Sequence, residues 1–304
     1  MTTSNLYEQI QQFYDASSGL WERVWGEHMH HGYYGERGDR RLDRRQAQID
    51  LIEELLAWTG VQLSKDLNGQ VSTILDVGCG IGGSSLYLAQ KFNASATGIT
   101  LSPVQAARAT ERAREAGIPP SSGPEGGSMT PDTRAEFRVA NALELPFADN
   151  SFDLVWTLES GEHMPDKKKF LQECYRVLAP GGALMMATWC HRPVAPPAAP
   201  LSDRERHQLM EIYKVYCLPY VISLPEYETI AREIGFQGIQ VADWSEAVAP
   251  FWDFVIDSAF DPSALLGLLF SGWQTIQGAL ALGLMRDGYK QGLIRYGLLC
   301  GTKS

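Results

Sequence analysis

LDVGCGIGGSS, residues 75–85, decides the fold of this chain. Just upstream, Thr73 to Val77 is short, apolar and β-branched, the composition of a buried parallel strand; just downstream, Ser84 to Phe92 carries apolar residues at helical spacing. Between them stand Gly78, Gly80, Gly82 and Gly83. Glycines here let the backbone turn sharply and approach a ligand closely, while the helix that follows presents free N–H groups and a positive dipole end. A dinucleotide site is built in a similar way, but two details oppose that reading. The Gly78, Gly80, Gly82 spacing lacks the two-residue gap of the dinucleotide fingerprint. Asp76 also places a carboxylate directly before the glycines, which repels a pyrophosphate and suits a ligand with an ammonium group. S-Adenosylmethionine is such a ligand. The plainer alternative is a glycine turn that only packs a helix on a strand.

Working outward, strands and helices alternate. ATGITLSPVQ holds a strand ending near Ile99, followed by a helix rich in Ala and Arg up to Gly117. AEFRVANALELPF reads as strand then turn, SFDLVWTLES as a strand ending in a polar cluster, KKKFLQECYRVLAPGG as a helix closed by Pro and Gly, and ALMMATW as another strand. This alternation predicts an α/β fold, a Rossmann-like doubly wound parallel sheet with its ligand at the carboxyl ends of the strands. Residues 1–60 form a helical N-terminal cap or lid, with Gln46 to Trp58 a good amphipathic helix. Residues 61–190 form the cofactor-binding core, and 191–304 supply substrate-binding helices and the closing strands. The strand ends give the cofactor candidates. Asn141 and Ala142 follow the third strand, where an amide and a backbone N–H can read an adenine edge; Thr100, Leu101 and Gln105 follow the second; Leu158 ends the fourth. Ser102 caps the helix that starts at Pro103. Pro119 to Arg134, PPSSGPEGGSMTPDTR, is a surface insertion.

Composition narrows the class. A chain of 304 residues can bury a full core, in one large domain or two small ones. A net charge of -10 leaves no basic surface to replace phosphate counterions, which excludes nucleic acid as a partner. The run RGDRRLDRR, Arg37 to Arg45, reads as a solvated helix start. Five cysteines, odd in number and without metal or redox spacing, read as reduced thiols. MTTSNLYEQIQQFYD has neither a signal core nor a transit-peptide bias, so a cytoplasmic location is expected. His28, His30 and His31 share no ligand spacing on one element, and no metal is expected. Between Asp261 and Arg286 lies an uncharged stretch, SALLGLLFSGWQTIQGALALGLM among it, long enough to raise a membrane span. Gln274, Thr275, Gln277 and several glycines oppose a span. A wall for an apolar tail, peripheral contact with a membrane, or a core helix remain as its readings.

Several motifs together are narrower than the glycine loop: FYDASSGLWERVWGEHMHHGYYG, GITLSPVQ, ANALELPF, LESGEHMPDK, ATWCHRP, CLPYVISLPEY, ADWSEAVAPFW and RYGLLCGTK. Through them the chain resembles the γ-tocopherol methyltransferases of the cyanobacterial type over nearly its whole length. In variant form the same motifs occur in methylphytylbenzoquinol methyltransferases and in plant alkaloid N-methyltransferases. The Pro119 to Arg134 insertion departs from the family. Within GITLSPVQ, Thr100 stands where most methyltransferases of this fold carry a carboxylate for the ribose, so that contact falls to Thr100 or Gln105. The resemblance implies S-adenosylmethionine as cofactor and methyl transfer to an aromatic carbon of a prenylated chromanol, from γ- to α-tocopherol and from δ- to β-tocopherol. It favours the chromanol over the benzoquinol because Glu162 stands where the benzoquinol enzymes tend to carry proline. Removing the phenolic proton makes the ortho carbon nucleophilic, so a base is expected. His163 is the first candidate, with Glu159 and Glu162 beside it, and His191 the next; each histidine also has a purely structural reading. Tyr14, Trp25 and the histidines of the aromatic run read as a lid over the cofactor, Tyr14 touching it and Trp25 facing substrate. Trp244, Phe251 and Trp252 are the remaining substrate candidates, or pack the cap. Methylation of a benzoquinol, methylation of an amine, and noncatalytic binding of the cofactor or of a prenyl lipid stay open as alternatives.

Overall fold

The computed structural model describes residues 3–66, 71–120, 133–259 and 273–304. Seven strands make one sheet: β1 (Thr73–Val77), β2 (Ser95–Thr100), β3 (Arg134–Val139), β4 (Phe152–Leu158), β5 (Leu178–His191), β6 (Gln237–Asp243) and β7 (Ile294–Thr302). Their order is β3-β2-β1-β4-β5-β7-β6, with β7 antiparallel to both of its neighbours and the pairs from β3 to β5 parallel. The chain therefore leaves β1 toward β2 on one side and returns to β4 on the other, so the strand order reverses at β1. That reversal opens a crevice at the carboxyl ends of β1 and β4, where a doubly wound sheet binds its ligand. The predicted α/β class holds, with one antiparallel strand added at the side away from β3.

Ten helices flank the sheet among the described residues: α1 (Thr3–Trp25), α2 (Arg44–Asp66), α3 (Gly83–Phe92), α4 (Pro103–Glu115), α5 (Lys167–Val177), α6 (Asp203–Val215), α7 (Leu224–Ile234), α8 (Ser245–Val248), α9 (Pro250–Ala259) and α10 (Trp273–Lys290). Neighbouring strand residues point to opposite faces, and each face has its own core. Ile74, Trp156 and Met185 pack with Leu51 and Leu55 of α2, Ile212 of α6 and Trp252 of α9; Leu75, Val155 and Met186 pack with Phe170 and Leu171 of α5 and Tyr227 of α7.

Local rules account for most boundaries. Ser102 accepts from the Gln105 N–H and Pro103 opens α4, as a capped helix start requires. Ser202 and Glu205 form a capping box at α6. Two expectations shift. Pro180 and Gly181 do not close a helix: α5 ends at Val177 and Leu178 enters β5 at once, pairing with Phe152. The Pro and Gly residues are taken up in a register shift between Leu178 and Ala183, where a Cβ on Gly182 would lie 2.8 Å from the Ala179 carbonyl oxygen. The arginine run is mostly a non-helical connection; α2 begins at Arg44, where Asp43 accepts from the Arg45 N–H at 3.0 Å. The centre of the expected insertion, residues 121–132, lies outside the described residues, as does the first half of the uncharged stretch, 260–272. No described helix is long and apolar enough to cross a membrane.

Candidate active site

The turn after β1 is fixed by two backbone bonds, Gly78 N–H and Cys79 N–H both donating to the Ile99 carbonyl at 2.9 Å. Glycine is required at two places because other chain segments press on them. At Gly78, with φ +86°, a Cβ would lie 2.3 Å from Ser160 Cβ; at Gly83 it would lie 2.3 Å from the Glu27 carbonyl oxygen. Gly82 faces away from the crevice, against Phe137 and Ala109.

The crevice is a solvent-connected cleft whose empty space, open solvent included, is about 1020 Å³. Asp76, Gly78, Gly80 and Gly83 line its glycine end, Thr100, Leu101, Gln105, Asn141 and Ala142 its far wall, and Leu158, Glu159 and His163 the wall after β4. Tyr14 joins them from α1. The structure thus brings together every cofactor candidate read from the sequence except Gly82. It adds Tyr7, Ile10, His28, Met29, His30 and Ser160; the histidine-rich run and the polar cluster after the fourth strand signalled the last four, and the N-terminal helix carries the first two.

Asp76 is buried and accepts from Ser85 Oγ at 2.6 Å, with the Ser85 backbone N–H as a further donor. Burial pushes its carboxyl up to about 7 despite both donors, so a cation beside it would regain the charge that desolvation opposes. With the glycine cradle and the apolar Leu101, Ala142 and Leu158, this donor set fits S-adenosylmethionine: carboxylate for the ammonium, open backbone for the amino-acid part, apolar walls for adenine. Thr100 and Gln105 line the cleft with their polar ends already engaged. Thr100 Oγ1 donates to Gln105 Oε1 at 2.7 Å, and Gln105 Nε2 donates to Ser18 Oγ of α1 at 3.0 Å.

That last bond is one of several holding α1 over the cleft. Arg108 of α4 grips Glu22 through Nε and Nη2, at 2.9 and 2.7 Å, and Ser102 Oγ donates to Asp15. On the other side Tyr14 OH lies 2.7 Å from His163 Nε2. Burial, then Glu162 and Glu159, holds the Tyr14 phenol well above its ordinary range, so it stays protonated and donates. Burial and then Lys167 hold His163 at about 3, so its ring is neutral. Its Nδ1 lies near the Cys217 backbone without a hydrogen bond of ordinary geometry. The first candidate base is therefore in the cleft with its Nε2 lone pair covered by the lid.

Glu159, directly after β4, has φ +56°, an unusual conformation for a non-glycine residue. The turn aims its carboxylate into the protein. Oε1 accepts from the His31 backbone N–H at 2.8 Å and from Tyr296 OH at 2.9 Å, and Oε2 from His31 Nδ1 at 2.8 Å. Burial alone would raise this carboxyl, but the contacts with His31 outweigh it and hold Glu159 below its ordinary value. Glu162, three residues on, is pushed up to about 7 by burial and by Glu159, and accepts from Thr188 Oγ1 at 2.7 Å. Lys167, lowered to about 7 by burial, ties down the same turn by donating to the Gly161 and Glu162 carbonyls at 2.8 and 3.0 Å.

Around His31 stand Trp189, Phe251, Trp252, Tyr289 and Tyr296, with ring centroids 4.6 to 5.9 Å from its own. Phe251 and Trp252 thus pack behind the Glu159 wall rather than in the cleft itself. Trp244 packs elsewhere, on Tyr33 and Trp58. The Trp25 side chain lies outside the described residues. His191 is outside the cleft, its Nδ1 2.7 Å from the Arg192 carbonyl oxygen. His28, held at about 2 by burial and His30, is neutral. Among the described residues no group of three His, Cys, Asp or Glu side chains could hold a metal. Around His31, however, buried polar atoms go unpaired: His31 Nε2, Trp189 Nε1, Trp252 Nε1, Tyr216 OH and Tyr289 OH have no hydrogen-bond partner. Each such atom costs about 1–3 kcal/mol, and native interiors hold few of them.

Comparison with known proteins bears on this geometry. A family profile described as a methyltransferase domain matches residues 75–186. The chain is 47% identical over 300 residues to the probable chloroplastic tocopherol O-methyltransferase of Oryza sativa subsp. japonica, covering 98% of this chain and 78% of that one. To the chloroplastic tocopherol O-methyltransferase of Arabidopsis thaliana it is 44% identical, covering 99% and 84%. The 2-methyl-6-phytyl-1,4-hydroquinone methyltransferase of Synechocystis sp. is 34% identical, covering 98% and 86%. Among solved structures, one described as a sarcosine dimethylglycine methyltransferase from Galdieria sulphuraria superposes with a TM-score of 0.75 at 25% identity, covering 95% and 98%.

Proposed function

The chain belongs to the tocopherol methyltransferase family of S-adenosylmethionine-dependent enzymes, and from that premise we propose that it methylates an aromatic carbon of the chromanol head of γ- and δ-tocopherol. The observation that carries this reading is the extent of the similarity. At 44–47% identity it spans the acceptor side of the fold as well as the cofactor side, whereas the cofactor residues alone would specify only the methyltransferase class. S-Adenosylmethionine supplies an activated methyl on a sulfonium. What the protein must add is modest: an aligned acceptor, a dry site, and a route for one proton.

The parts fall into roles accordingly. Asp76 and the glycine cradle hold the amino-acid end of the cofactor; Leu101, Asn141, Ala142 and Leu158 hold the adenine; α1 closes above with Tyr14 and excludes water. Glu159 and His163 flank the side where the acceptor meets the methyl group. Transfer to carbon is our reading of the chemistry, since the relatives' names specify oxygen. A phenol that has lost its proton carries negative charge on both the oxygen and the ortho carbon, so alignment in the site selects between them. Apolar aromatic walls suit the chromanol ring, and a prenyl tail left in lipid places the enzyme beside a photosynthetic membrane as a peripheral visitor.

The test is methyl transfer from labelled S-adenosylmethionine to γ-tocopherol, δ-tocopherol, methylphytylhydroquinone and a monoterpenoid indole alkaloid, with chromatography of the products. Labelled α-tocopherol, still oxidisable at its free phenol, is the expected result. A tocopheryl methyl ether, which has lost that phenol, would overturn transfer to carbon. Label only in the quinol or the alkaloid would overturn the chromanol.

A further inference from the structure

We propose that His31 is the base that takes the acceptor's phenolic proton, with Glu159 as its positioning residue; this rests on the reading of the acceptor as a phenol. A carboxylate oxygen only accepts, so the 2.8 Å contact at Glu159 Oε2 puts a proton on His31 Nδ1. A base needs a lone pair, which in a ring protonated at Nδ1 alone is on Nε2, and Nε2 is buried with no partner. The His31 backbone N–H and Tyr296 OH fill the remaining places on Glu159, which fixes the tautomer and the ring orientation together. A carboxylate behind a histidine, with the far nitrogen free, is the arrangement that prepares an imidazole to accept a proton and stabilises the cation that forms.

The neighbourhood specifies what should donate that proton. Two indole rings whose N–H groups lack acceptors, Trp189 and Trp252, have centroids 5.9 and 5.2 Å from the ring of a histidine whose Nε2 lacks a donor. An aromatic hydroxyl answers both needs: it donates to Nε2, and as it ionises its oxygen accepts from an indole. The walls are aromatic, so they also match the ring that carries the hydroxyl. Glu159 lines the cofactor cleft, and its 2.8 Å contact puts the His31 ring directly behind that wall. Rings enclose Nε2 in the free chain. The acceptor therefore reaches it only as rings carried by α9 and α10, Phe251, Trp252 or Tyr289, move aside.

The step balances. The phenolic O–H breaks and its proton goes to His31 Nε2; the ortho carbon forms a bond to the methyl carbon as the C–S bond breaks, leaving neutral S-adenosylhomocysteine. The ring C–H proton then passes to water, and His31 returns its proton to the oxygen. One proton is released per turnover.

The experiment compares the full-length wild type with His31→Gln and Glu159→Gln, using γ-tocopherol and labelled S-adenosylmethionine between pH 6 and 9.5. The expected result for His31→Gln is a kcat lower by about a hundredfold or more, with KM and S-adenosylhomocysteine affinity within about twofold of wild type. Its residual rate should climb about tenfold per pH unit, because only acceptor ionised by the solvent now reacts. Glu159→Gln, which keeps the His31 ring, should show a smaller loss with the same trend. A wild-type kcat in His31→Gln, or an equal loss at every pH with weakened S-adenosylhomocysteine binding, overturns the proposal. If the wild type methylates the quinol instead, the chromanol reading fails and the same profiles measured on the quinol decide the base. A wild type active only on the amine, or on no acceptor, overturns both.

Discussion

The carboxyl of Asp76 sits at about 7 because it is buried, and the Ser85 hydroxyl and backbone N–H offset only part of that burial. An ammonium placed beside it lowers that value, so cofactor binding and carboxyl ionisation are linked. The sign follows: above pH 7 the free site is already ionised and affinity is flat, while below pH 7 binding must expel a proton. Calorimetric titration with S-adenosylhomocysteine should show Kd rising toward tenfold per unit as pH falls from 7 to 5.5. Asp76→Asn should weaken binding at pH 8 by roughly 10–100-fold, the range of a charge-assisted hydrogen bond, and should abolish the slope. Asp76, Gly78 and Gly83 were legible in the sequence because strand, carboxylate and glycines are neighbours there. Ser160 and His31 were harder to assign, since their roles arise from partners 82 and more positions away: Ser160 presses on Gly78, and His31 meets Glu159. No local pattern records such a meeting.

Elements add what residues lack, a way to open. α1 lies over the cleft, and its grip on α4 centres on Arg108 and Glu22, whose side chains are 32% and 25% exposed. At that exposure a bidentate pair contributes at most about 1 kcal/mol. Arg108→Ala should therefore speed S-adenosylhomocysteine release by about two- to fivefold in stopped-flow measurements and leave kcat on saturating substrates nearly unchanged. Raising the salt should bring the wild type toward the variant and leave the variant almost unaffected. The helical pattern of α1 and its reading as a lid came from the sequence, but the side chains that hold it down did not, because a helix of mixed composition does not declare its partners. The end of α5 was misread for a related reason. Pro180 and Gly181 stop a helix in isolation, yet the open side of β4 draws Leu178 into a strand before they are reached.

At the scale of the whole molecule the doubly wound class was readable from strand and helix alternation as far as β5, while the strand order and the return of β7 between β5 and β6 needed the structure. That half also carries the aromatic cluster, so the acceptor side was the less legible one. The cofactor half should act as a stabilising unit. S-Adenosylhomocysteine at a hundred times its Kd should add about 2.7 kcal/mol to the stability of the native state, seen as a rise of several degrees in melting temperature that Asp76→Asn largely loses at the same concentration. The placement of β7 bears, finally, on the order in which the chain becomes an enzyme. β7 follows every other strand in the sequence, yet it sits inside the sheet and brings Tyr296 to Glu159. A nascent chain can complete the crevice of β1 to β4 while β5 still has a bare edge, a surface open to wrong pairings. Such a chain would hold the methyl donor before the acceptor side exists, so competence to bind precedes competence to transfer, and the last strand to arrive separates the two.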